Sequence, residues 1–430
     1  MTVFDFLARR DMGAVQVFPG TGPAPRTVMI SSHIWWTELI AYAVWRLGHT
    51  VVAVPPWYSL YVSDAAFAQF DAQWDACLDV IRQTRPDVIL GGNSTAMVVH
   101  PRTGDLLHRA AGVPLVNYWW DEPRCDQPMH RRGLTLKQYV AALADERTLN
   151  VVWDVDVTEE LRAYLGLTNV AHVPLGTTPE FWPVGFAPLE SRQLPACFLG
   201  NCHGGASAAA GLLKGHVDWS SVVLGRKVAN PDLPMVTCVG RTITPVSAAS
   251  DEAALRRHFQ QWSTLAVLHM LACRNAYVQA LAKHLGDRLV LIGKGWDALG
   301  LTPRAAHSGV PKAAEYYANS QVSLNLFGGC VHGGMPLRPY EIAASHGLIV
   351  TQYTRELPDL FEPGKECVAF GNVGQMLIAV DHILSYPRDF NHMVHAARKR
   401  VVAQHSWEHR MGRVLSLVDE ALAPARAMAA

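Results

Sequence analysis

From Arg26 onward, short β-branched runs alternate with stretches whose apolar residues recur at helical spacing. No other feature limits the possible folds of this chain so tightly. "RTVMISS" reads as a strand, "WWTELIAYAVWRLG" as a helix closed by Gly48, and "HTVVAV" as the next strand. "FAQFDAQWDACLDVIRQTRP" again has helical spacing and runs into "DVILGG", a continuous apolar strand of the kind buried on both faces. "VPLVNYWWDEP", "TLNVVWDVD" and "NVAHVPLG" follow as strand candidates. Strand-helix-strand alternation predicts the α/β class, with a doubly wound parallel sheet between layers of helices.

The rhythm stops at 177–195, "TTPEFWPVGFAPLESRQLP", a proline-rich stretch without helical period that reads as a linker. It then restarts with "ACFLGN", a Gly/Ala-rich loop and a long helical stretch from Asp251 to Leu285. "RLVLIGKGW", "VSLNLFGG", "GLIVTQ" and "CVAFGN" supply the later strands. The expected layout is two tandem Rossmann-like domains, residues 1–185 and 186–405, and a C-terminal helix over 406–430. In that helix Trp407, Met411, Val414, Leu415, Val418 and Leu422 form one apolar stripe that must be buried, either at the interdomain junction or on its own domain.

Composition narrows the function. The chain has 430 residues, 50% hydrophobic and 17% charged, enough to fill two cores. Thirty-seven basic residues balance thirty-seven acidic ones, which argues against general nucleic-acid binding but leaves room for a small anion. Eight scattered cysteines without a C-x-x-C pair suggest a reducing compartment, and the expected location is the cytoplasm. The start lacks the order of a secretory signal, and "STLAVLHMLAC" is too short to span a bilayer. Peripheral contact through a surface patch stays open.

Chemistry concentrates in "GGMPLRPYEIAASHGLIVTQ", residues 333–352. Ligands of open parallel sheets bind beyond the carboxyl ends of the strands, and this stretch starts there, after "VSLNLF". Glycines let backbone approach a ligand, and a helix starting near Pro339 offers N–H groups to an anion. Arg338 can fork onto phosphate oxygens, and Glu341 can accept two hydrogen bonds from a vicinal diol. With Leu337 and Tyr340 flanking them, these residues suit a sugar nucleotide. Equally open at this stage, Glu341 merely complements the helix dipole and Arg338 pairs with it or with solvent.

"RPYEIAASHGLIVTQYTRELPDLFEPGKECVAF" resembles the C-terminal segment of GT-B glycosyltransferases, in particular the CgeB-like group related to the retaining group-1 enzymes. "RPDVIL", "VVWDVDVTEELRAYLGLTNVAHVPLGTTPEFWP", "GVPKAAEYYANSQVSLNLF" and "HSWEHRMGRVL" fit the same template, so the likeness runs from Pro86 onward. The resemblance implies two Rossmann-like domains facing across a cleft, with the donor mainly in 196–405 and the acceptor on N-terminal loops. It implies that Glu341 binds the ribose hydroxyls and that Gly200, Asn201 and Arg338 lie near the diphosphate. It also brings Gly293, Lys294, Gly295 and Trp296, with Val310 of "SGVP", toward the base. One position departs from the pattern: relatives often carry a second glutamate eight residues before the first, and here Gly333 stands there. The usual recognition of the donor sugar is therefore not expected.

The resulting expectation is glycosyl transfer from a nucleotide-diphosphate sugar to an unidentified hydroxyl, without metal or cofactor and with retention. Charge on the departing diphosphate would be met by backbone N–H groups, Arg338 and Lys294. His33 after the first strand and Asp121 after the fourth are candidates to orient or deprotonate the acceptor, though each also suits local capping. His332 is expected to line a substrate pocket. Cys202, His203, Cys330 and His332 could meet in space, but their spacing is not that of a zinc site. The Asp-x-Asp of "WDVDV" reads as ordinary structure. A nucleotide-sugar epimerase, or a non-catalytic nucleotide-sugar-binding protein of the same fold, is the alternative; the first would release product without acceptor, the second would only bind.

Overall fold

A computed structural model describes residues 1–11, 13–31, 35–61, 63–124, 133–182, 185–202, 217–306, 309–328 and 331–429. The chain forms two compact units. The first comprises Met1–Pro174, Ile243–Gln260 and Trp407–Ala430, the second Leu175–Thr242 and Gln261–Ser406. This differs from three contiguous stretches, because 243–260 leaves the second unit to pack on the first. Burial explains it: Val246, Leu255 and Phe259 are buried in the same core cluster as Tyr139, Val140 and Leu161.

The first unit holds a seven-stranded sheet: β1 Gln16–Phe18, β2 Thr27–Ser31, β3 Thr50–Val54, β4 Val88–Gly92, β5 Leu115–Trp119, β6 Thr148–Val152 and β7 Val170–His172. Their order is β1-β3-β2-β4-β5-β6-β7. Pairs from β3 to β7 are parallel and in the expected places, with β2 and β3 in register from Thr27↔Thr50 to Ser31↔Val54. The alternation missed β1, a three-residue edge strand antiparallel to β3. From β2 the chain moves to one side to make β3 and then to the other to make β4. A crevice for ligand therefore opens beyond the carboxyl ends of β2 and β4.

The helix Trp407–Ala429 packs on the helix Trp35–Arg46 of this unit. Its stripe is buried at Trp407, Met411, Val414, Leu415 and Val418; Leu422 has its side chain outside the described part. The Trp407 ring meets Tyr118 edge-on at 5.8 Å, and Asp419 pairs with Arg26.

The second unit holds a five-stranded parallel sheet: β8 Leu194–Leu199, β9 Leu289–Ile292, β10 Ser320–Asn325, β11 Ile349–Gln352 and β12 Val368–Phe370. The order is β12-β11-β10-β8-β9. The chain goes from β8 outward to β9, then crosses back to place β10 on the other flank of β8. The reversal lies between β8 and β10, and the loops leaving those two strands are "GN" and the stretch that leads to Arg338 and Glu341. Both sheets are thus doubly wound, which makes the chain two Rossmann-like α/β units.

Candidate functional site

The floor of the second unit's crevice is two loops tied together by backbone. The Gly200 amide donates to the Ile292 carbonyl (2.8 Å), and the Cys202 amide to the Lys294 carbonyl (2.8 Å). The Asn201 side chain accepts from the Lys294 amide at 2.9 Å. Gly293 has φ +143°, and a Cβ there would stand 2.0 Å from the Gly200 carbonyl oxygen, so only glycine permits this approach. Gly295 is also at positive φ and leads into the short turn Trp296–Leu299. The structure therefore brings Gly200, Asn201, Gly293, Lys294 and Gly295 to one end of the sheet, with Lys294 exposed.

Across the crevice stands the helix Arg338–Ala344, which follows β10. Its seven residues are a short piece with Pro339 in the first turn, where a missing N–H does no harm. Arg338 and Glu341, three apart, share a helical face. Arg338 does not pair with Glu341; its Nη1 donates to the Tyr317 hydroxyl at 2.6 Å. Glu341 is 6% exposed, and no described residue donates a hydrogen bond to its carboxylate. Burial drives its pKa from 4.5 up to about 7, against the pull of the Arg338 charge. An ionised carboxylate in such a place is unfavourable until something donates to it.

Residues 274–416 match the family described as "Glycosyl transferase-like". This region is a glycosyltransferase domain. The protein is an enzyme of that class. No curated protein sequence matches the chain. Among solved structures the chain is similar to sucrose-phosphate synthase from Thermosynechococcus elongatus (12% identity, 93% of this chain and 100% of that one, TM-score 0.49). It is similar also to a glycosyltransferase from Rickettsia africae (11%, 93% and 99%, TM-score 0.49) and to HepE from Anabaena in complex with UDP (9%, 91% and 100%, TM-score 0.45).

Two residues of the glycosyltransferase expected to face ligand point into the core instead. Trp296 is fully buried, its indole N–H donating to the Gly200 carbonyl at 2.8 Å. Its ring meets Phe198 edge-on and belongs to the second unit's core, so it braces the floor from below and cannot stack on a base. Tyr340 is also fully buried, its ring 5.5 Å from Phe361 and 5.4 Å from His405. The helical turn that exposes one face to the crevice necessarily sends Tyr340 to the opposite one. Leu337 precedes the helix at 6% exposure and accepts from the amides of Tyr340 and Glu341. Val310 lies in the first turn of the helix Gly309–Asn319, with its side chain outside the described part.

His332 lines a small pocket beyond β10, β11 and β12, together with His269, Tyr277, Gln352, Thr354 and Phe370. It is 4% exposed and stacks on Trp262 at 6.0 Å. In the first unit, Asp121 is exposed just beyond β5, and its carboxylate accepts from Asn93 Nδ2 at 2.8 Å. Asn93, beyond β4, in turn accepts from the amides of Trp120 and Asp121, a clasp that sequence patterning did not reveal. His33, His203 and Cys330 lie outside the described residues. Asp154 caps a helix by accepting from the amides of Asp156 and Val157, which accounts for the Asp-x-Asp. Among the described residues no three His, Cys, Asp or Glu side chains are grouped as metal ligands, and no helix is long and apolar enough to cross a membrane.

The sequence reading missed Arg274. It sits mid-way in a long helical run, where a lone charge ordinarily faces solvent, yet its guanidinium reaches the carbonyls of Asn201 and Leu326.

Proposed function

We propose that this glycosyltransferase moves a glycosyl group from a nucleotide-diphosphate sugar to an acceptor hydroxyl, with the donor bound at the crevice between β8 and β10. The supporting observation is Glu341: a buried carboxylate with no hydrogen-bond donor among the described residues, at the switch point of a doubly wound sheet. A pair of ribose hydroxyls would supply two donors at once and relieve the cost of keeping that charge buried. The floor beside it, built from Gly200, Asn201 and Gly293–Gly295, is two loops that glycine lets pack backbone to backbone, which gives the crevice a fixed base.

In this reading the donor's anomeric C–O bond breaks with its electron pair leaving on the diphosphate. A new C–O bond forms to the acceptor oxygen, and the acceptor gives up its proton. Positive charge near the leaving group, from the exposed Lys294 and from Arg338, supports departure without a metal ion. Asp121, held in place by Asn93, is our candidate for orienting the acceptor hydroxyl or taking its proton. Retention of configuration follows from the likeness of the block around Arg338 and Glu341 to the group-1 enzymes. A thermal-shift screen of nucleoside diphosphates and nucleotide sugars, repeated on Glu341→Ala, tests the donor site. A ligand at a hundred times its Kd should stabilise the wild type by about 2.7 kcal/mol. Equal stabilisation of wild type and variant would remove Glu341 from the site, and an anomeric product of inverted configuration would overturn retention.

A further inference from the structure

Arg338 and Glu341 lie three residues apart on one helical face, the first half-buried and the second buried, and opposite charges at that spacing ordinarily pair. Here they do not. Among the described residues the Arg338 guanidinium is in no ion pair, and its Nη1 donates to the Tyr317 hydroxyl at 2.6 Å. A pairing within one helix is weak, so an acceptor fixed in place beside it can win the guanidinium.

Tyr317 is such an acceptor. It stands on the helix Gly309–Asn319 and is fully buried. Arg192 donates to the carbonyls of Tyr317 at 3.3 Å and Ser320 at 2.9 Å, at the end of that helix. The same side chain donates through Nη2 to the His346 carbonyl at 2.7 Å, just beyond the helix Arg338–Ala344. One guanidinium therefore ties the trailing ends of both helices together and fixes the phenol relative to Arg338 and Glu341.

Besides burial, Tyr317, Glu341 and Cys197 of β8 act on the Arg338 guanidinium. Burial pushes the Tyr317 phenol up and the Cys197 thiol up to about 11, so both stay neutral and Glu341 is the carboxylate among them. Arg398, on the helix Asn391–Gln404 that also packs against Arg338–Ala344, donates to the Ala344 carbonyl at the far end. Without the phenol's oxygen, the guanidinium would be a buried cation lacking its acceptor, a strongly unfavourable state that turning to Glu341 relieves. The carboxylate would then be occupied before any ligand arrived.

We propose that Tyr317 is a positioning residue of the donor site, whose hydroxyl engages Arg338 and so keeps the Glu341 carboxylate open to the paired hydroxyls of a ribose. This rests on the donor site proposed above, and deepens it by assigning the unpaired state of Glu341 to a residue of another helix.

Two measurements on the full chain test it, each on the wild type, Tyr317→Phe and the double variant Tyr317→Phe/Arg338→Met. The first, urea unfolding from pH 4.5 to 8, needs no ligand. An unpaired Glu341, raised from 4.5 to about 7 by burial, gives stability that is full below 4.5 and lost past 7. Tyr317→Phe should abolish that fall, because pairing with Arg338 returns the carboxyl toward its usual range; the double variant should restore it. For the second, UDP, GDP and ADP are ranked on the wild type by calorimetric titration, and the tightest binder is compared with its 2′,3′-dideoxy counterpart on all three proteins. The ratio of the two affinities cancels any contact of Arg338 with the diphosphate. The preference for ribose should drop on the order of 10-fold in Tyr317→Phe and return in the double variant. A merely structural tyrosine would give a difference independent of pH and no recovery on removing Arg338. Tyr317→Phe keeping either the titration or the preference, or a double variant that regains neither, overturns the proposal. Should Tyr317→Phe fail to fold, the double variant decides: loss of the ribose preference there means that the hydroxyl is needed for something other than Arg338, which overturns it. A wild type without ribose preference would sink the donor reading, while the ligand-free pH comparison would still decide what Tyr317 does.

Discussion

Replacing Glu341 by glutamine should stabilise the empty protein at neutral and alkaline pH while destroying its donor site. The carboxyl is raised from 4.5 to about 7 in the folded chain because burial penalises the ionised form. The folded state therefore holds this proton over a pH range in which the unfolded chain has already released it. Stability from this group is full below pH 4.5, falls as pH rises, and has been lost once pH passes 7. Each tenfold difference in acidity is worth about 1.4 kcal/mol, so the ionised carboxylate costs about 3 kcal/mol. Glutamine has nothing to ionise. Urea unfolding followed by tryptophan fluorescence at half-unit steps from pH 4.5 to 8 measures the difference between wild type and Glu341→Gln. Other titrating groups act on both proteins and cancel; these include His346, whose burial pushes it down to about 4. The difference should change by about 3 kcal/mol in favour of the variant across that range and then level off. A saturating nucleoside diphosphate should close the gap by stabilising only the wild type. A difference independent of pH would refute the reasoning, since it would mean that the carboxylate is solvated or already satisfied.

Two further outcomes follow from packing. Gly293→Ala places a methyl group 2.0 Å from the Gly200 carbonyl, so the floor must separate; the variant should lose nucleoside diphosphate binding and more than about 2 kcal/mol of stability, and unchanged binding would show that the two loops are not the floor. Glu160→Gln removes a carboxylate paired with the fully buried Arg124, which also pairs with Glu122; thermal unfolding should show a loss of about 3–5 kcal/mol, and wild-type stability would mean that the guanidinium finds other compensation.

Much of this fold was legible because parallel strands buried on both faces announce themselves as apolar runs. β2, β4, β10 and β11 lie where such runs occur. β1 was not legible, since three residues with Val17 exposed at an edge carry no such signal. The excursion of 243–260 onto the first unit was hidden for another reason: its apolar residues satisfy helical periodicity whichever core they fill, and periodicity does not say which. At the site, Glu341 stood out as a charge amid apolar neighbours. Trp296 and Tyr340 shared its motifs but not its direction, because sequence proximity does not specify which way a turn or a helical face points. Arg274 was concealed by a π-helical stretch, a change of phase that spacing alone does not display.

The central claim is that Glu341 grips the paired hydroxyls of a ribose. Calorimetric titration of wild type and Glu341→Ala, each with a nucleoside diphosphate and with its 2′,3′-dideoxy counterpart, measures that contact directly. The wild type should prefer the ribose form at least tenfold and the variant should show no preference, because the acceptor for those hydroxyls is gone. The same preference in both proteins would contradict the claim.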